Sequence, residues 1–550
     1  MFKQLRIYSF SMSKRLKDIA ERNLQTASQL MQKGTHCEAL KFIQKAEEIA
    51  LKLKDDDDIL IRVLTIKGQL KQATEAYEEA MKIYTSVIRK IEENLSNEPE
   101  NEFYIDTIKM NILNIGNLGL IFSNKGLLSL SKSCCELNLE LSQKMLNLYP
   151  EDDVYQGFLG HSLLNFGSVL ADMGQFEDSK EKSEDALNIY KNLLKKYPDE
   201  RRYQSFIGTI VGNLGNVLKD MGRLDEAMNR YKESLYIREK LLKNDPENVE
   251  YQSSVAFALN NLGTLLSDLG LEEEAINRYE ESLCIREKLI KNYEGNLEYK
   301  LQAGYTYNYL AFLLLRLGRI EDADEKYNNG FKIFEELFKI DPENTLYLSY
   351  TVLMLQNQGP LLFSKGHTEG AMRSFEIACE ICENLLGNDP ENVLYQANFG
   401  LIYNAYGDFL YVIEQVEEAK KKYKKVLEIY TEPMQHMTII QKSHSIIRLI
   451  ELNTEQAENE TNSHRQIKYL EKAYQLCKNN QEFFNKYGLK HEKKLVMEAG
   501  LSAYVDYVIK DIREEKDSEK RAEGYEKAIK AIVKLGKIED DEEVEKIASS

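Results

Sequence analysis

Apolar residues along this chain recur at helical spacing, and the helical pattern itself recurs. In residues 249–268, VEYQSSVAFALNNLGTLLSD, Val255, Leu259, Leu262 and Leu266 fall on one face of a 3.6-residue period. Gly270 stands just beyond, where a glycine C-cap would end that helix. The next stretch, LEEEAINRYEESLCIREKLIKN, puts Ala275, Tyr279, Leu283 and Ile290 on one face and breaks near Asn292. In the neighbouring copy the break is NDPEN, where Pro246 cannot continue a helix but can begin the next. The pattern predicts a unit of two antiparallel helices with two short turns.

A period of 48 residues connects the copies. Tyrosine recurs at Tyr155, Tyr203, Tyr251, Tyr299, Tyr347 and Tyr395. One glycine recurs at Gly119, Gly167, Gly215, Gly263, Gly359 and Gly407, with Ala311 in the remaining slot. A second recurs at Gly126, Gly174, Gly222, Gly270, Gly318 and Gly366, and alanine at Ala227, Ala275, Ala323, Ala371 and Ala419. Such self-similarity predicts a solenoid, in which each unit packs mainly on its neighbours. A solenoid is more often a binding surface than a reaction vessel.

Within a unit the order is a small residue, glycine seven later, alanine five further on and an aromatic four beyond that. Gly263, Gly270, Ala275 and Tyr279 follow it, as do Gly215, Gly222, Ala227 and Tyr231. This resembles the tetratricopeptide repeat family, especially its long-repeat prokaryotic forms and, more distantly, kinesin light chains. The resemblance implies an all-α, right-handed superhelical solenoid of antiparallel helix hairpins. Two departures matter. The family period is about 34 residues, a spacing matched here only from Gly34 to Gly68. The extra 14 residues make about four helical turns, so helices lengthen without rotating their apolar faces. Tryptophan is also absent, and leucine, as at Leu259, stands where the family often has it.

Residues 1–13 read as a disordered lead, with Met12 an alternative start, and 14–96 as two shorter hairpins. Residues 97–432 read as about seven long hairpins, 433–536 as an off-period helical segment able to cap the solenoid, and 537–550 as a frayed acidic tail.

The formal net charge of -18 argues against nucleic acid and anionic membrane as partners and favours a basic or neutral protein or peptide. The longest apolar run, Tyr309 to Leu315, is too short to span a bilayer. Seven cysteines, an odd number in a large chain, fit reduced thiols and a cytoplasmic location.

Catalytic and metal signals are weak, so the expectation is no enzyme, no metal and no cofactor. Cys379 and Cys382 have ligand spacing, but a structural zinc needs four ligands and only His367 is near, so they read as core cysteines. The binding signal is an asparagine two residues before the packed glycine: Asn117, Asn165, Asn213, Asn261 and Asn357, broken by Tyr309 and Ala405. Asparagine is a poor helix-interior residue, so its recurrence calls for a reason. By the family resemblance, first helices line the concave wall, and asparagine at this place clamps the backbone of an extended peptide. The same amides could instead bond neighbouring helices. The face continues through Ser168, Asn216 and Thr264 to Asp172, Asp220 and Asp268, either an acidic strip for a basic ligand or a solvated helix end. At equivalent places further along stand Phe312, Leu315 and Phe363, and Pro360 is expected to kink its helix. The expected function is a scaffold holding an extended peptide or partner helix. The alternative is a regulatory sensor whose superhelix changes shape on binding. Exposed end hairpins would also allow self-association.

Overall fold

The computed structural model describes residues 2–53, 57–95, 98, 100–342, 344–429, 436–460 and 463–486, and among them every element is helical. The chain forms two compact units, Met1–Leu271 and Glu272–Ser550. The first holds α1 (Phe2–Gln32), α2 (His36–Lys52), α3 (Asp57–Ala73), α4 (Tyr77–Leu95), α5 (Glu102–Asn124), α6 (Leu128–Leu148), α7 (Asp153–Asp172), α8 (Phe176–Lys196), α9 (Arg201–Asp220), α10 (Leu224–Asn244) and α11 (Val249–Asp268). The second holds α12 (Glu272–Asn292), α13 (Leu297–Arg316), α14 (Ile320–Ile340), α15 (Thr345–Ser364), α16 (Thr368–Asn388), α17 (Val393–Val412), α18 (Val416–Ile429), α19 (His436–Asn459) and α20 (Ser463–Lys486).

α1 begins at Phe2, within the segment that the sequence reads as a lead. The off-period segment starts as the helix pair α19–α20, and residues 487–550, including the acidic tail, lie outside the described residues. α15 is assigned as one helix through Pro360.

Two sequence devices make each turn. Where a first helix ends, glycine takes the left-handed conformation, as at Gly222 with φ 74°. Its N–H reaches Lys219 O at 2.9 Å and that of Arg223 reaches Leu218 O at 2.8 Å, the double closure of a Schellman cap. Glu75 (φ 59°) and Glu414 (φ 62°) hold the same place without glycine's freedom. Where the next first helix begins, an acceptor caps it: Asn248 and Asn296 accept from Tyr251 N and Tyr299 N, and Asn344 and Asn392 from Tyr347 N and Tyr395 N. The recurrent tyrosine is thus the third residue of each of these helices. Gln252 and Gln396 donate back to Pro246 O (2.7 Å) and Pro390 O (2.8 Å), locking the turn.

The turn positions correct one reading of the sequence. Gly34 is a turn glycine with φ 75°, whereas Gly68 lies inside α3, where an added Cβ would meet Tyr84 Cε1 at 2.5 Å. Their 34-residue separation therefore compares unlike places. The left-handed turn residues run Gly34, Glu75, Gly126 and Gly174, so the first spacings are 41 and 51 residues before 48 sets in. Measured from these turns, the small-residue slot extends back to Ala27 and Gly68, and the alanine slot to Ala39, Ala80, Ser131 and Ser179. Ser131 and Ser179 each donate to the packed glycine of their own pair, Gly119 O and Gly167 O, both at 2.6 Å.

At Gly68, Gly215, Gly359 and Gly407 the packed glycine makes room for the aromatic of the second helix, whereas Gly119 and Gly167 face Cys135 and Ser183. A Cβ at Gly215 would sit 2.7 Å from Tyr231 Cδ1, and one at Gly359 would sit 2.3 Å from Phe375 Cε2. Both rings are fully buried or nearly so. Replacing such a ring with alanine would cost about 3–5 kcal/mol.

Candidate functional site

Within each unit, first helices of successive pairs touch one another while second helices make no comparable contact. In the first unit the chain of contacts is α1–α3–α5–α7–α9–α11, and in the second α13–α15–α17–α19. Each stack therefore curves with its first helices on the inner side. The predicted asparagine row lies on these helices, and its members are not equivalent.

Asn117 is exposed. Asn165 is buried beside His161 Nδ1 at 3.5 Å, and burial pulls that imidazole below its ordinary range. Asn213 is half-buried and donates Nδ2 to Ser168 Oγ on α7 (3.1 Å). Asn261 is also half-buried and donates Nδ2 to Asn216 Oδ1 on α9 (3.4 Å). Asn216 Oδ1 takes a second bond from Tyr231 Oη at 2.6 Å. In the other unit Asn357 donates to Asn308 Oδ1 at 3.0 Å. Three of the five amides thus bridge neighbouring first helices, and for Asn213, Asn261 and Asn357 no described residue bonds to Oδ1.

The acids lie at the exposed ends of their helices. Asp172 accepts from Ser123 Oγ of α5 at 2.6 Å. The surrounding chain raises its carboxyl above the usual range; the Asp220 carboxylate adds to this and the Ser123 bond opposes it. Asp220 has Lys219 Nζ at 3.7 Å, and Asp268 is exposed. In the second unit the corresponding face is mixed: Tyr309, Phe312 and Phe363 are exposed and Leu315 half-buried, while Arg316 stands one period after Asp268 and Asp408 three periods after Thr264.

Sequence reasoning missed a second amide row. Where Tyr309 and Ala405 interrupt the first, asparagine stands one residue earlier, at Asn308 and Asn404, and both are buried. Asn404 donates Nδ2 to Gln441 O and Oε1, both at 2.9 Å, and accepts from Ser445 Oγ, tying α17 to α19. The 48-residue spacing of Asn260, Asn308 and Asn404 was the available signal, the last two being two periods apart.

Cys379 and Cys382 are buried beside Phe375, and burial pushes the Cys379 thiol up to about 12 and that of Cys382 higher still. No cluster of three or more His, Cys, Asp or Glu side chains able to hold a metal occurs among the described residues. No described helix is long and apolar enough to cross a membrane.

A family model, Tetratricopeptide repeat, matches residues 206–288. No curated protein matches the sequence. Among solved structures, a Rap protein complexed with Competence and Sporulation Factor is 14% identical, with 75% of this chain and 98% of that one covered and a TM-score of 0.41. A human IFIT1 dimer with PPP-AAAA is 15% identical, with 88% and 94% covered and a TM-score of 0.42. A tetratricopeptide repeat protein from Parabacteroides merdae is 17% identical, with 62% and 98% covered and a TM-score of 0.31. The matched segment, and the recurrence of its small, glycine, alanine and aromatic slots on either side, make this a repeat protein of tetratricopeptide type.

Proposed function

We propose that the chain is a non-catalytic scaffold that holds an extended peptide along the inner, first-helix face. The observation that carries this is the half-used amide of Asn213 and Asn261 in the first unit, which Asn357 repeats within the second. An asparagine amide has two N–H donors and a carbonyl acceptor. In each case one donor is spent on the neighbouring helix, which fixes the side-chain orientation. A second N–H and Oδ1 remain to meet a peptide C=O and N–H without reading side chains. Asp172, Asp220 and Asp268 would favour a basic or neutral ligand over an acidic one.

The test is panning of a random-peptide library on the immobilised full chain, followed by affinity measurement on the double variant Asn213→Ala/Asn261→Ala. Circular dichroism shows whether the variant is folded. The expected result is a loss of about tenfold or more, the effect of about 1.4 kcal/mol of lost hydrogen bonding. Peptides that bind the folded variant as tightly as wild type would show that the amides serve only to join helices.

A further inference from the structure

α7 has two working faces. Asn165, Ser168 and Asp172 share the inner one. Leu159, Leu163 and Phe166 lie about 160° round the helix, at 100° per residue. These three form the floor of a cleft of about 660 Å³ between the second helices α6 and α8. Half-buried Leu139 and Ile189 supply its walls. Its rim carries Glu136 and Glu140 from one side and Asp185 from the other, all exposed, and no lysine or arginine lines it. Lys132 (3.9 Å) and Lys144 (3.1 Å) reach Glu136 and Glu140 from one turn away on α6.

The apolar core is interrupted here. Leu159 and Leu163 belong to one buried cluster and Phe166 to another, with Leu139 packed against both. Beneath the cleft, buried polar side chains join α6 to α7 alongside these apolar contacts. Ser162 Oγ donates to Asn138 Oδ1 at 2.7 Å, lies 2.8 Å from Ser142 Oγ, and Asn138 Nδ2 donates to Ile112 O at 3.0 Å. All three side chains are buried, so the cleft is built on a hydrogen-bonded base.

We propose that this cleft docks a basic amphipathic helix presented by another protein. Its lining follows helical steps, with Leu139 and Gln143 one turn apart on α6 and Leu159, Leu163 and Phe166 over two turns on α7. Two turns of groove, about 10 Å long, match a ligand helix with apolar residues at i, i+4 and i+7. Carboxylates on both rims select lysine or arginine flanking those anchors, and an acidic helix is repelled. The surface is separate from the asparagine face, so this proposal stands or falls independently of the peptide clamp.

The test uses the full chain and a fluorescein-labelled helical peptide of about 18 residues, long enough to hold helix in water. It carries leucine at i, i+4 and i+7 with lysines on the flanks. A second peptide of identical composition has its leucines spread round the helix. Fluorescence anisotropy is expected to show the striped peptide binding at least about tenfold tighter than the scrambled one. Glu140→Lys/Asp185→Lys should abolish that advantage, and Asn213→Ala/Asn261→Ala should leave it intact. No binding, equal affinity for both peptides, or loss in the asparagine variant alone would overturn the proposal. So would a concentration-dependent doubling of mass that Glu140→Lys/Asp185→Lys removes, because the cleft would then be covered by a second copy of this chain.

Discussion

Lys420 should weaken the fold at neutral pH, and replacing it with methionine should strengthen it. The side chain is 5% exposed, yet among the described residues no carboxylate pairs with it. Nζ donates to Asn453 Oδ1 of α19 at 2.7 Å and to Gln456 Oε1, and lies 5.2 Å from the ring of Tyr469 on α20. Burial lowers its pKa from 10.5 to about 8; Glu417 opposes the change, and Lys424 and Lys472 add to it. That gap corresponds to on the order of 3 kcal/mol of strain on the charged form. One repeat earlier the same place holds Met372, and three earlier Ile276, so an apolar side chain fits the slot. Methionine would leave Asn453 and Gln456 without this donor, offsetting about 1–2 kcal/mol. The expected net gain at pH 7 is on the order of 1–2 kcal/mol. The sign with pH follows from linkage. The folded pKa lies below the unfolded one, so between about 8 and 10.5 the unfolded chain binds more protons and the wild-type protein gains stability as pH rises. Urea titrations of both proteins at pH 7 and pH 10, followed by circular dichroism, would therefore show the methionine advantage shrinking or reversing. A variant destabilised equally at both pH values would refute the reasoning, because the ammonium hydrogen bonds would then outweigh the burial of charge.

Tyr327 and Tyr231 occupy the same slot with different partners. Tyr231 Oη has Asn216, but the residue after Ala311 is Phe312, and the buried Tyr327 hydroxyl has no hydrogen-bond partner among the described residues. Tyr327→Phe should leave stability unchanged or raise it by up to about 1 kcal/mol, and Tyr231→Phe should lower it by about 1 kcal/mol, in the same urea titration. Glu414→Gly relieves a left-handed glutamate and should stabilise by about 1 kcal/mol, whereas Gly222→Ala should cost as much or more. Thermal melts check the pair. Gly215→Val drives a branched side chain into the Tyr231 ring, and a loss of at least about 2 kcal/mol is expected. If the protein acts as a sensor, a bound inner-face peptide changes the rate of limited proteolysis within residues 433–550. An unchanged cleavage pattern at saturating peptide leaves the scaffold alone.

Helix boundaries were legible from the residues because their causes are local. Pro246 starts and Gly270 stops a helix within one turn of its own position, and apolar spacing at three and four residues marks the buried face. The small, glycine, alanine and aromatic slots were legible too, since each repeat supplies another reading of the same packing. The asparagine face was legible as a row, but not the difference between its members. Asn165 is buried beside a histidine on its own helix, while Asn213 and Asn261 reach across 45 residues to the neighbouring first helix. Those partners depend on how helices cross, and no spacing within one helix encodes that.

The first two repeats show the same division. Gly34 and Gly68 are identical letters, and only backbone conformation and the Tyr84 ring distinguish a turn from a packing contact. By itself, then, the sequence determined the helix pair, its register and which face of each helix is buried, because these follow from interactions within a few residues. The tertiary structure alone decided the rest. It set which first helices touch, where the core parts to open a cleft over α7, and that Lys420 lies out of water with its ammonium bonded to the amides of Asn453 and Gln456. These outcomes arise where side chains distant along the chain share one small volume, and their energies depend on that packing.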